Sequence, residues 1–267
     1  RKMKLMRLSA PVLCMVAAAL PAGCGLKPPS TVPSDLTAER AMESVRLRGD
    51  KIHDISGWGR ARSTDGSSVR TAKLSVRYKS PNLFKSVILG FAGIELATIA
   101  SDGDSITAYI PALDGFIRTG IDAKALSTML PIAGADLGDI LPIISGSPPI
   151  PASLDTFDKR LRYRDKKAEL TLSKGDSVFI YLLSGPDARV VEYRHTFRGE
   201  PVWTVKWRNF ENNGAIAFPK NVTVTQARGE IGFEWSNYSV NAGLDKASFA
   251  LSVPTDAKRL FPRPSVR

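Results

Sequence analysis

Residues 72–78 read Ala-Lys-Leu-Ser-Val-Arg-Tyr, an unbroken alternation of apolar and polar side chains. Successive side chains of a strand point to opposite faces. Ala72, Leu74, Val76 and Tyr78 therefore line one face, and Lys73, Ser75 and Arg77 the other. A strand of this kind belongs in an antiparallel sheet with one covered face. Similar short runs recur at 83–89, 94–100, 105–110, 115–119, 160–164, 168–173, 178–183, 190–197, 202–210, 217–225 and 230–238. Asp102-Gly103 and Asp114-Gly115 mark turns between them. Gly57-Trp58-Gly59 marks a further strand that is bulged or sharply bent. The count is about eleven, within a range of ten to thirteen, and the class is mainly β with a few helices.

Helical periodicity appears in three places. Ser34 is placed to cap a helix over 35–48, with Leu36, Ala38, Ala41, Met42 and Val45 on its apolar side and Gly49 as its stop. In mid-sequence, Asp122 caps a short helix through Leu130, and Asp136 caps another through Ile144. The second carries Leu137, Ile140, Leu141 and Ile144 at i, i+3, i+4 and i+7, a single apolar stripe. Ser145 to Pro151, SGSPPIP, breaks it and returns the chain to strands.

The first 23 residues read as a targeting segment. Arg1, Lys2, Lys4 and Arg7 precede an apolar run from Leu8 to Leu20, too short for the roughly 20 residues that cross a bilayer. The run closes on Leu20-Pro21-Ala22-Gly23-Cys24-Gly25. Ala22-Gly23-Cys24 resembles the bacterial lipobox, whose cysteine receives a diacylglyceryl group and becomes the mature N-terminus. Pro21 stands where that pattern prefers an aliphatic residue. A Cys14–Cys24 disulfide, or ordinary cleavage with Cys24 a bystander, are the alternatives. Residues 24–34, rich in proline, form an extended tether, and 35–267 form the folded domain. Gly25, in place of aspartate, favours outer-membrane sorting. Two or three acyl chains on Cys24 give stable attachment, and no other cofactor is implied.

With Cys14 removed, the mature chain carries one thiol, already committed, which excludes disulfide scaffolds and cysteine-ligated metals. Of the 37 basic residues four lie in the leader, leaving 33 against 26 acidic. That excess suits an anionic membrane or plain solubility. Basic and aromatic residues are not gathered on one element, so nucleic acid is excluded as a partner.

The element order, with Val87-Ile88-Leu89-Gly90-Phe91-Ala92-Gly93-Ile94-Glu95-Leu96 and the paired helices ending near Gly146, resembles the LolA/LolB superfamily, LolB more closely. Asn241-Ala242-Gly243-Leu244 with Phe249 and Pro254 is similar to that family's closing strand. The resemblance implies an incomplete antiparallel β-barrel with lid helices over an apolar cavity. It also implies a monomeric outer-membrane lipoprotein that binds acyl chains of lipids or lipoproteins and receives them from a periplasmic LolA-like carrier. The family's membrane-transfer loop falls on Phe91 and Ala92. An assembly lipoprotein using the same fold to hold a partner protein is the alternative.

A sheet of about eleven strands encloses more space than its own side chains fill. Leu74, Val76, Ile88, Ile99, Ile106, Leu172 and Ile180 are the expected inward positions, under the lid residues Leu137, Ile140, Leu141 and Ile144. A filled core built from the same residues is the competing reading. Arg60, Arg62, Arg70, Lys73, Arg77 and Lys79 form a basic sheet face that suits lipid headgroups, an acidic carrier or water alike. Only His53 and His195 are present, and His195 reads as an outward strand residue. With no phosphate loop and no carboxylate pair singled out by spacing, no catalytic or metal site is expected.

Overall fold

The computed structural model describes residues 31–120, 142–151, 153–227 and 229–260. The signal segment, Cys24, most of the tether, and the lid positions Leu137, Ile140 and Leu141 lie outside the described residues. The alternation at 72–78 forms part of one sheet of fourteen strands. In chain order these are β1 (Asp54–Asp65), β2 (Ser68–Lys79), β3 (Leu83–Leu89), β4 (Glu95–Asp102), β5 (Ser105–Ile110), β6 (Gly115–Gly120) and β7 (Asp158–Arg164). They continue as β8 (Lys167–Lys174), β9 (Ser177–Ser184), β10 (Arg189–Phe197), β11 (Glu200–Asn213), β12 (Ile216–Gln226), β13 (Gly229–Val240) and β14 (Lys258–Arg259). The spatial order is β14-β6-β5-β4-β3-β2-β1-β13-β12-β11-β10-β9-β8-β7, so the two ends of the sheet do not pair and the barrel is incomplete.

Every pairing is antiparallel except that of the two-residue β14, which joins β6 in parallel. The structure has β1 and β14 beyond the twelve apolar runs. β1 is the strand foreshadowed by Gly57-Trp58-Gly59, and its register against β13 shifts between Trp58 and Gly59.

The helix, α1, runs from Ala38 to Asp50, starting later and ending later than Ser34 and Gly49 predict. Thr37 takes the cap, its side-chain oxygen accepting from Arg40 N at 3.3 Å. Ala41, Met42 and Val45 are buried on the half of the sheet made by β7–β12. Val32 is buried there too, its N–H donating to Lys166 O at 3.2 Å, so the chain is packed against the sheet from that residue.

Two apolar clusters cover the inner face. One gathers Leu170, Leu172, Tyr181, Tyr193, Val205 and Trp207; the other gathers Ile55, Val76, Tyr78, Ile106, Phe233 and Trp235. Between them runs a strap, residues 142–151, whose first three residues are helical. On the outer face the turn Lys246–Phe249 packs on β3 and β4, burying Phe249, Thr98 and Ala100.

Candidate functional site

The registers place the hairpin tips β1–β2, β3–β4, β5–β6, β8–β9, β10–β11 and β12–β13 at one end of the sheet, here termed the rim. The β3–β4 tip is a single 3₁₀ turn, Phe91–Gly93, closed by Gly90 N donating to Ile94 O at 2.8 Å. Ala92 at φ 56° and Gly93 at φ 78° turn the chain back on itself. This leaves Phe91 95% exposed, with Ile94 and Leu96 also exposed beside it. Leu113 from the β5–β6 tip, Val69 from β2, and Phe197 and Val202 from the β10–β11 hairpin are further exposed apolar residues at the same end. Scattered exposed apolar residues are ordinary on soluble proteins; a phenylalanine presented in full at a hairpin tip, with Ile94 and Leu96 exposed beside it, is not.

Of the expected inward residues, Val76, Ile99, Ile106 and Leu172 are buried on the inner face, and Leu74 and Ile88 pack half-buried beside them. Ile180 does not join them. It pairs with Thr171 and Arg194 on the outer face, while its neighbours Phe179 and Tyr181 pair with Leu172 and Leu170 inside. In the run Val178 to Leu183 both strand phases are apolar, and alternation alone does not choose between them.

His195 is the converse case, lying on the inner face. It pairs with Phe179, its ring stacks on that of Phe179 at 4.4 Å, and Trp203 donates its indole N–H to His195 Nδ1 at 3.2 Å. A bulge between Val190 and Glu192 shifts the phase of β10 and brings Tyr193 and His195 inward. His195 Nε2 is buried with no hydrogen-bond partner, and burial pushes the imidazole pKa below its usual value.

The strap is tied to both halves of the sheet. Trp207 donates its indole N–H to Ile143 O at 2.8 Å, Trp235 donates to Ile144 O at 3.3 Å, and the Tyr181 hydroxyl donates to Pro149 O at 2.9 Å. Arg48 of α1 donates to Gly146 O at 2.8 Å, and its burial brings the guanidinium pKa down to about 10. Ile143 is buried and Ile144 half-buried, so the end of the expected apolar stripe does rest on the inner face. A cavity of about 40 Å³ remains between these two isoleucines and Trp203, Val222, Val224 and Phe233.

The basic face is partly as expected. Arg60, Arg62, Lys73, Arg77 and Lys79 project outward together, while Arg70 has the opposite phase on β2. Among the described residues no group of three or more His, Cys, Asp or Glu side chains converges as a metal site would require.

No family model matches the chain, and no curated protein matches it by sequence. Solved structures do. A LolA superfamily protein from Nitrosomonas europaea superposes with a TM-score of 0.54 at 13% identity, over 81% of this chain and 98% of that one. A DUF1329 family protein from Desulfovibrio piger gives 0.57 at 14% identity, over 80% and 97%. A domain described as an outer membrane lipoprotein-sorting protein, from Vibrio parahaemolyticus, gives 0.52 at 12% identity, over 80% and 97%. At such identities the likeness is one of architecture: the chain has a LolA/LolB-like fold.

Proposed function

We propose that this protein is a non-catalytic envelope lipoprotein, anchored to the outer membrane by acyl groups on Cys24 and facing the periplasm. In this reading it takes acyl chains of lipids or lipoproteins onto the inner face of its sheet and delivers them to membrane at the rim. One observation carries the proposal: Phe91 stands 95% exposed on a hairpin tip, with Ile94 and Leu96 beside it and other apolar residues at the same end. A periplasmic carrier of the same fold is the natural donor of cargo.

The strap sets the mechanism. The room beside the strap, about 40 Å³, is too small for an acyl chain, so in this reading cargo loading there takes the place of the strap residues Ile143 and Ile144 against Trp203, Val222 and Phe233. Each methylene buried there contributes about 0.8 kcal/mol, and a chain of about a dozen carbons compensates for the hydrogen bonds from Trp207, Trp235, Tyr181 and Arg48 that hold the strap.

The test uses the signal-less chain and vesicles of phosphatidylethanolamine and phosphatidylglycerol. Native mass spectrometry should find co-purifying lipid. Phe91→Glu should fold normally yet deliver fluorescent acyl cargo to vesicles at least about tenfold more slowly, given what burying a phenylalanine is worth. Undiminished delivery by that variant, or protein that never carries lipid, would overturn the reading.

A further inference from the structure

The outer face of the sheet holds a second site, built on β1. Gly57 and Gly59 flank Trp58, and neither tolerates a side chain. A Cβ at Gly57 would stand 2.3 Å from Asn237 O, and one at Gly59 would stand 2.4 Å from Phe233 Cζ. The glycines let β1 press against β13 on the inner side, and the bulge between Trp58 and Gly59 falls at the same point. Bulges of this kind re-aim a side chain. The result is a tryptophan 36% exposed on the polar face of the sheet, where neither the core nor the rim uses it.

The residues around it form a grid. Across β13, β1 and β2 the cross-strand partners are Asn237, Trp58 and Ser75 in one row, and Ser239, Ser56 and Arg77 in the next. Adjacent strands are about 4.8 Å apart and same-face rows about 7 Å apart, so the grid spans about 10 Å by 7 Å, the footprint of one or two hexose rings. The segment holding Leu244 and Ser248 walls one side, and the pocket so enclosed measures about 600 Å³.

The functional groups are unspent. Trp58 N donates to Asn237 Oδ1 at 3.1 Å, which fixes the amide and leaves its NH₂ free to donate. The hydroxyls of Ser56 and Ser239 face the same space. Arg77 uses one nitrogen on Ser248 O at 3.2 Å and keeps its other N–H groups. Lys73 Nζ lies over the Trp58 ring, 5.0 Å from its centroid, and is not among the residues that line the pocket. Among the described residues no carboxylate comes within ion-pair distance of Arg77; the nearby Asp245 carboxylate, held mainly by Ser248, feels the Arg77 charge at longer range.

An acyl chain has no use for hydroxyls, an amide and a cation. A sugar ring does: its axial C–H groups meet an aromatic ring, and its hydroxyls pair with serine and asparagine. Arg77 asks in addition for a negative substituent. We infer that the pocket around Trp58 binds an anionic saccharide, bearing a phosphate or a carboxylate, on the face of the sheet opposite the acyl-binding side. The inference does not depend on the proposed function, because the two sites share no side chain.

Three soluble probes test it by calorimetry on the signal-less chain: di-N-acetylchitobiose, a glucosamine disaccharide carrying phosphates, and a disaccharide containing N-acetylmuramic acid. At least one charged probe should bind several-fold more tightly than the neutral one, in line with a surface charge contact of up to about 1 kcal/mol. A preference for the phosphorylated probe points to a lipid-linked source, and a preference for the muramic acid probe to a wall polymer; either supports the site. Trp58→Ala should lower affinity at least tenfold, and Arg77→Gln should remove the preference for charge without abolishing binding. A Trp58 indole N–H resonance that shifts on titration locates the ligand independently of affinity. No binding of any probe at millimolar concentration, equal binding of neutral and charged probes, or binding indifferent to Trp58→Ala would overturn the inference.

Discussion

Trp207 reaches from β11 to the carbonyl of Ile143, 64 residues earlier in the chain, and donates to it at 2.8 Å in a fully buried contact. The same carbonyl receives Gly146 N at 3.0 Å, which closes the strap's turn. The indole therefore pins a preformed turn to the sheet. Trp207→Phe leaves Ile143 O with one partner and a gap where the larger ring stood. The expected loss is about 2 kcal/mol, combining a hydrogen bond with a small cavity. Urea unfolding followed by circular dichroism measures it, and an unchanged midpoint would show that the strap is not held there.

Arg48 anchors the strap from the other side. Its guanidinium donates to Gly146 O and Ala217 O and lies 5.4 Å from the Phe210 ring centroid. Gly146 sits at φ +87°, and a Cβ there would stand 2.7 Å from the Pro219 ring. Gly146→Ala therefore combines left-handed strain of about 1 kcal/mol with a clash against a rigid ring. The expected outcome is a drop in melting temperature of several degrees. On the proposed mechanism the strap leaves to admit cargo, so the same variant should load a fluorescent fatty acid faster than the parent, which stopped-flow fluorescence resolves.

How much of this was legible follows from what a period of two encodes. At 72–78 one phase is apolar and the other polar, so the burial of Val76 and Tyr78 was readable at once. At 178–183 both phases are apolar, and Ile180 was assigned to the wrong side. In β10 the alternation Val191-Glu192-Tyr193-Arg194-His195 puts His195 in phase with the buried Tyr193, so the outward reading of His195 goes against the local period, which the bulge before Glu192 leaves intact. The exposed tip at Phe91 followed from resemblance rather than from pattern. The Trp58 grid was missed because its members come from strands nearly 180 residues apart, and only the register of β1 against β13 assembles them. The bent glycine-flanked strand was its one local signal.

His195 makes stability depend on pH in a determined direction. Trp203 donates to Nδ1, so the neutral ring carries its proton on Nε2, buried and without a partner. Burial lowers the folded-state pKa below 6.5, so in the window between that lowered value and 6.5 the unfolded chain binds more protons than the native one. Stability is therefore full above about pH 6.5 and falls as pH drops through the window. His195→Phe should abolish that part of the slope; at pH 7 it removes the unsatisfied Nε2–H but leaves the Trp203 indole N–H without its acceptor, so little net change in stability is expected there. Denaturant midpoints for both proteins at pH 7.5 and pH 5 decide the matter. A slope that survives the substitution would assign the effect to other groups.

Asp54 holds the wall of the Trp58 pocket at a distance. Buried at the start of β1, its carboxylate accepts from the backbone N–H groups of Ala242, Gly243 and Leu244 at 2.8, 3.0 and 3.3 Å. Asn241 closes the same corner, its side-chain oxygen accepting from His53 N and its amide donating to Lys51 O, both at 2.8 Å. Beyond this corner the chain runs over the outer face, where Arg77, Lys79 and Lys85 donate to the carbonyls of Ser248, Leu244 and Ala250. Those three contacts sit at solvent-exposed or half-exposed positions and are individually weak, so the carboxylate is the fixed point. Asp54→Ala leaves three part-buried N–H donors without their acceptor at an expected cost of about 2 kcal/mol. Hydrogen exchange at the amides of 242–248 should accelerate far more than exchange in β9 or β10, whose core does not touch this corner. Saccharide affinity at Trp58 should fall in parallel while acyl loading on the inner face stays as in the parent. If exchange instead accelerated equally throughout the sheet, Asp54 would be a support of the whole barrel rather than the anchor of one wall.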